Sequence, residues 1–216
     1  MQLSAQELYW YDVLLEVSPK DYKQAEQLMD AYYSSIEMPE GVSVTISRMP
    51  LRPASEPATH IISIVGMSSE KLANFRTSLS GDKWDFYVSQ MSNLIHSARA
   101  SAGRSFMEMN MEMMQPLGQA WLFRVDDRQG FITAFQKLMT KFKPDGFVSM
   151  GQINHGVDNG ENMYIYATSP TLQAAFEMGP KTQAEQKAFE DFFEAIEDGS
   201  DFIRSFTRAE IKTYKK

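Results

Sequence analysis

The succession of local patterns in this chain runs twice. Arg104-Ser105-Phe106 recurs as Arg204-Ser205-Phe206, 100 residues further on, and the stretches before each copy carry the same order of periodicities. In the first half YWYDVLLEV alternates as a strand, and Ser18-Pro19 with Asp21 marks an N-cap, a proline at the first helical position and a capping-box acid. Ala25, Leu28, Met29, Tyr32 and Ile36 follow at helical spacing until Pro39 and Gly41. VSVTISRM and HIISIVGM read as two strands joined by the proline-rich PLRPASEPA loop. A short turn around SSEKLANF leads into a helix from Asp82, with Trp84, Val88, Met91, Ile95 and Ala98 on one face. RSFMEMNMEM then closes the half as a strand. QAWLFRV opens the second half. A helix with Phe131, Phe135, Leu138, Met139 and Phe142 on its buried stripe follows, then the hairpin GFVSMGQI/MYIYATS, a helix capped by Thr182 and Glu185, and the strand FIRSFTRAEIKTY.

Each half is therefore βαββαβ, the ferredoxin-like split βαβ unit: an antiparallel sheet with helices on one face. The predicted class is α+β, two tandem ferredoxin-like units packed sheet to sheet as a pseudo-dimeric α/β barrel, with one unit over residues 1–113, a second over 119–216 and MMQPLG as the linker. The two sheets should pack face to face to cover each other. In element order the chain resembles a fused version of the dimeric α/β-barrel superfamily. That superfamily includes cofactor-independent antibiotic-biosynthesis-type monooxygenases, muconolactone-isomerase-like and EthD-like proteins, and the haem-binding chlorite-dismutase group. No family motif is present, so the resemblance assigns no residue a role and lends no activity.

Composition sets the limits on chemistry. The chain has no cysteine, which removes thiol nucleophiles, thiolate metal sites and disulfides. A net charge of −7 argues against nucleic acid as a partner, since the only dense basic cluster is the terminal KTYKK. The opening MQLSAQELYWYDVLLEV shows neither a signal peptide nor a membrane span, and the expectation is a soluble cytoplasmic protein, monomeric or a homodimer. GxSxG, GxxxxGK[ST], HExxH and GxGxxG motifs are missing.

Among the three histidines, His96 falls on the polar side of a helix, His155 in a glycine-rich hairpin and His60 at a strand start. They make no metal motif, and neither metal nor cofactor is expected. The alternating methionines from Met107 to Met113 read as core filling rather than a copper(I) site. The acids from Glu190 to Asp201 read as the solvated face of the last helix. Strand pairing suggests one constellation. With strand one taken as parallel to strand three and antiparallel to strand four, Trp10, Asp12, His60 and Asn110 converge on a pocket with an aromatic wall, suited to a small hydrophobic or aromatic ligand. Two functions stay open. One is a non-catalytic small-molecule-binding or protein-interaction module. The other is a cofactor-independent monooxygenase- or isomerase-like enzyme using Asp12 or His60 as a base beside Trp10. Arg104, Phe106 and Glu108 of the first closing strand are expected on one face, meeting Arg204, Phe206 and Arg208 of the second.

Overall fold

A computed structural model describes residues 7–216; residues 1–6, part of the first predicted unit and of the stretch read as lacking a leader, lie outside the described residues. The strands are β1 (Tyr9–Val17), β2 (Val42–Leu51), β3 (His60–Gly66), β4 (Ile95–Met109), β5 (Leu117–Val125), β6 (Val148–His155), β7 (Met163–Ser169) and β8 (Ser200–Lys215). The helices are α1 (Tyr22–Ser34), α2 (Ser69–Ser78), α3 (Asp82–Ser92), α4 (Arg128–Lys141), α5 (Leu172–Phe176) and α6 (Gln183–Ile196). None of these helices is long and apolar enough to cross a membrane.

The eight strands close into one barrel in the order β1-β3-β2-β8-β5-β7-β6-β4. The expected barrel is thus present, its two four-stranded sheets joined at both edges into a single cylinder. Edge strand β2 of the first half pairs with β8, and edge strand β4 pairs with β6. Closure pairs the edges that two separate sheets would expose.

Period-two alternation then sorts the side chains. Outward residues of the first-half strands (Leu15, Val17, Val44, Ile46, Ile62, Ile64) meet Ala25, Met29 and Tyr33 of α1 and Met91 of α3. In the second half Phe123, Val148, Met150 and Met163 meet Phe131, Phe135 and Leu138 of α4 and Phe192 of α6. Thr182 and Glu185 form the predicted capping box. Inward residues make two smaller clusters that share Phe206: Leu14, Met49 and Ile61, and Ala120, Leu122, Ile153 and Tyr164 with Trp10 and Tyr166.

Three expectations are corrected. The second helical stretch ends at Ser92, and Ile95 already belongs to β4, because that strand pairs with β1 along residues 95–104 and with β6 along 102–109. A β-bulge between Ser105 and Met107 breaks the alternation of β4, so Arg104 and Glu108 do not share a face. Arg104 is one-third exposed against Glu7, while Glu108 is buried against β6. The Arg-Ser-Phe copies are also out of register. Tyr9 and Leu117 open their strands opposite Gly66 and Ser169; five residues on, Leu14 faces Arg99 and Leu122 faces Arg204. Arg204 thus corresponds to Arg99, not Arg104.

Candidate functional site

The structure divides the four residues expected to converge. β1 and β3 run antiparallel, which sets Trp10 opposite Val65 and Asp12 opposite Ser63 but leaves His60 opposite Leu15, at the far end of the strand. The parallel pairing assumed for these strands is wrong: in a βαββαβ chain the crossover helix makes β1 and β2 co-directional and the hairpin reverses β3. Trp10 and Asp12 point into the barrel, and His60 points outward beneath α1. Asn110 ends β4 in the left-handed conformation (φ 56°), and its amide donates to the carbonyls of Pro144 and Gly146 at 3.0 and 3.1 Å. This residue fastens a loop.

Inside the barrel, polar groups are packed among aromatic rings. The Arg208 guanidinium donates to Tyr166 Oη at 2.9 Å and to Ser63 Oγ at 2.6 Å, and stands 4.0 Å from the Asp12 carboxylate. Burial pushes the Asp12 carboxyl above its ordinary range, against the opposing pull of Arg208 and Ser63. Glu108 is likewise raised by burial. Ser105 Oγ donates to one of its oxygens, while the other has no partner among the described residues. Tyr164 contacts Ser149 Oγ at 3.2 Å and meets Trp10 edge to face at 5.6 Å. Side chains from both halves line this space. One end is closed by Glu56, which accepts from both Arg99 and Arg204, and by Glu161, 2.7 Å from Arg204. Glu56 thereby ties the β2–β3 loop across to the second half.

Open space lies on the outside, where β1 ends. A cleft of about 530 Å³ is lined by Glu16, Ser18, Tyr22, Arg52, Thr59 and His96, with Pro50, Pro53 and Pro57 contributing apolar wall. That volume lies in the range of small-molecule sites. Behind Thr59 sits His60, fully buried, with Nδ1 2.9 Å from Thr59 Oγ1 and Nε2 3.1 Å from Glu26 Oε1. The ring of Tyr22 meets the imidazole edge to face at 4.8 Å. Arg48 grips Glu26 with both Nε and Nη2. Burial lowers His60, outweighing the Glu26 carboxylate, and so keeps the ring neutral. Burial alone would raise Glu26, but hydrogen bonds from Arg48 and His60 bring it below the usual carboxylate range. A neutral His60 with an ionised Glu26 carries its proton on Nε2, so Nδ1 accepts from Thr59. The Thr59 hydroxyl has one proton and a second acceptor, Leu15 O at 3.2 Å.

The second half supplies a control. Met163 occupies the register position of His60, opposite Phe123 as His60 is opposite Leu15, and is equally buried. It sits among Phe123, Phe131 and Phe135. The residue before it, Asn162, binds the Val125 amide and carbonyl at 2.9 Å each, as Thr59 engages the Val17 amide at 3.1 Å and the Leu15 carbonyl. The strand-end bonds are thus kept in both halves, and the histidine–carboxylate chain is confined to the first. Sequence reading missed Thr59, Glu26 and Tyr22. The helical periodicity that marked Ala25 and Met29 as core also set Tyr22 and Glu26 one turn apart on the flank of that stripe.

No family model and no curated protein matches the chain. Solved structures do. A candidate monooxygenase of Lactobacillus acidophilus aligns over 96% of both chains with a TM-score of 0.66 and 13% identity. One of Fusobacterium nucleatum aligns over 97% of both chains with a TM-score of 0.62 and 12% identity. An anthrone oxidase-like protein aligns over 99% of this chain and 96% of its own, with a TM-score of 0.60 and 12% identity. At these identities the likeness is one of fold, an eight-stranded α/β barrel closed within one polypeptide.

Proposed function

We propose that the protein is a small-molecule enzyme acting in the cleft at the end of β1, and that Thr59, His60 and Glu26 move a proton for the bound substrate. The carrying observation is the chain that runs from Thr59, on the cleft wall, through the fully buried His60 to Glu26, with an apolar counterpart in the second half. A neutral imidazole takes the Thr59 proton on Nδ1 as Thr59 takes one from the substrate, and the Glu26 carboxylate stabilises the imidazolium through Nε2. Removal of a proton next to a carbonyl begins both isomerisation and cofactor-independent oxygenation, so the enzyme alternative drawn from the sequence is retained and the non-catalytic one set aside. The candidate monooxygenases of the same fold support this reading by fold alone. In this reading His60 remains a site residue, whereas Trp10 and Asp12 support the barrel from within. The same reading treats residues 1–113 and 119–216 as two ferredoxin-like units, supported by the matched strand register, in a monomer or homodimer.

Small ketones and β-dicarbonyl compounds in deuterated buffer provide the test. The protein should accelerate exchange of their α-protons, and His60→Gln should reduce that acceleration by about 100-fold or more, the usual contribution of a positioned base. Exchange unaltered in His60→Gln, with native secondary structure retained, would falsify the assignment.

A further inference from the structure

We infer that Ser18 and His96 form a nucleophile–base pair in the same cleft, able to accept an acyl group from an ester or thioester. The inference rests on the cleft being the substrate site and extends that reading by naming the substrate class.

Ser18 precedes Pro19 at a helical start, a position where serine ordinarily turns its hydroxyl onto a free backbone N–H. Here it makes no such bond. Its Oγ lies 2.6 Å from His96 Nε2 instead. The histidine is brought there by a second irregularity. Glu16 pairs with Ser97 and Val17 with Ile95, which leaves His96 as the extra residue of a β-bulge. Bulges re-aim a side chain out of the regular alternation and recur beside active sites. Two departures from default local structure thus converge on one contact, and both residues line the cleft. Thr59 is close by, since its Oγ1 accepts the amide of Val17, the residue before Ser18. Arg52 shares the wall. Its Nη1 and Nε are spent on the carbonyls of Met49 and Glu56, leaving Nη2 without a partner among the described residues.

The chemistry balances without a further reagent. Ser18 Oγ adds to the acyl carbon while its proton passes to His96 Nε2. Collapse of the adduct expels the alkoxide or thiolate, which takes that proton and departs as alcohol or thiol. Water, deprotonated by His96 in the same way, then releases the acid and restores Ser18. For this His96 must hold its own proton on Nδ1, as acceptance of the Ser18 hydroxyl at Nε2 requires. An ester also fits the Thr59–His60 chain, since the proton that chain would remove is one next to the attacked carbonyl.

p-Nitrophenyl acetate is the probe, read by intact mass and peptide mapping. In samples quenched in acid during the first turnover, before water releases the acyl group, acetyl label is expected on Ser18 at up to one per chain, with none in Ser18→Ala and acylation about 100-fold slower in His96→Gln. Label spread over lysines, absence of label from Ser18, or equal rates in wild type and a folded His96→Gln would overturn the pair. His96 is exposed, so the variant should fold normally. If Ser18 is not acylated while α-proton exchange persists, the pair fails and the cleft assignment stands. If exchange is also absent, both fail.

Discussion

Arg208→Met should destabilise the protein by about 3 kcal/mol at pH 8, because it leaves the Asp12 carboxylate inside the barrel without its cation. The side chains of Arg208 and Asp12 are only 20% and 18% exposed, so water replaces the lost charge poorly. Tyr166 Oη and Ser63 Oγ each lose a donor as well. The deficit should depend on pH in one direction. Asp12 is already raised by burial, and loss of Arg208 raises it further. A group whose folded-state value is raised contributes stability that is present below its unfolded value and is lost as pH rises. Chemical denaturation should therefore show the variant close to wild type near pH 4 and progressively weaker toward pH 8. Asp12→Asn added to Arg208→Met should recover most of the loss at pH 8. A pH-independent deficit would mean that packing, rather than charge, is what Arg208 supplies.

Gly103→Val is expected to be at least as damaging, costing about 3 kcal/mol or more through overpacking. Gly103 sits where β4 passes from pairing with β1 to pairing with β6. A Cβ there would overlap the backbone carbonyl of Gln152 and the Trp10 ring, and the carbonyl belongs to a paired strand that cannot move alone. Gly118, opposite Arg208, plays the matching part in the second half, where its missing side chain is the space taken by Tyr166. Trp10 and Tyr166 thus each lie over a glycine. Thermal unfolding should fall by about 10 °C in Gly103→Val, given the enthalpy of a chain this long. Trp10→Ala combined with Gly103→Val should not restore it, because the carbonyl overlap remains. Restoration would show that the ring alone sets the limit.

The strands and helices were largely legible because each has one apolar face, and period two or 3.6 reveals it. The Thr182–Glu185 cap was legible for the same local reason. A barrel was expected from the element order, but the edge pairs that close it were not legible, since pairing β2 with β8 and β4 with β6 is decided by sheet edges some 40 to 170 residues apart in sequence. His60 was expected beside Trp10 and Asp12 and lies instead opposite Leu15, because strand direction is a property of the crossover and not of the strand's own residues. Ser18 and His96 were hidden by regularity: Ser-Pro reads as a cap, and His96 follows a helical pattern that the chain abandons at Ser92. A bulge leaves no mark on composition, yet one bulge turns Glu108 into the barrel and another turns His96 into the cleft.

The central claim is that substrate binds in the cleft backed by His60 and not within the barrel. Amide chemical-shift mapping with a library of small aromatic esters and ketones tests it most directly. Shifts should be confined to Val17, Ser18, Tyr22, Thr59 and His96, with no response at Met163 and its neighbours. Shifts centred on Trp10, Asp12 and Tyr166, or divided equally between the His60 and Met163 positions, would contradict it.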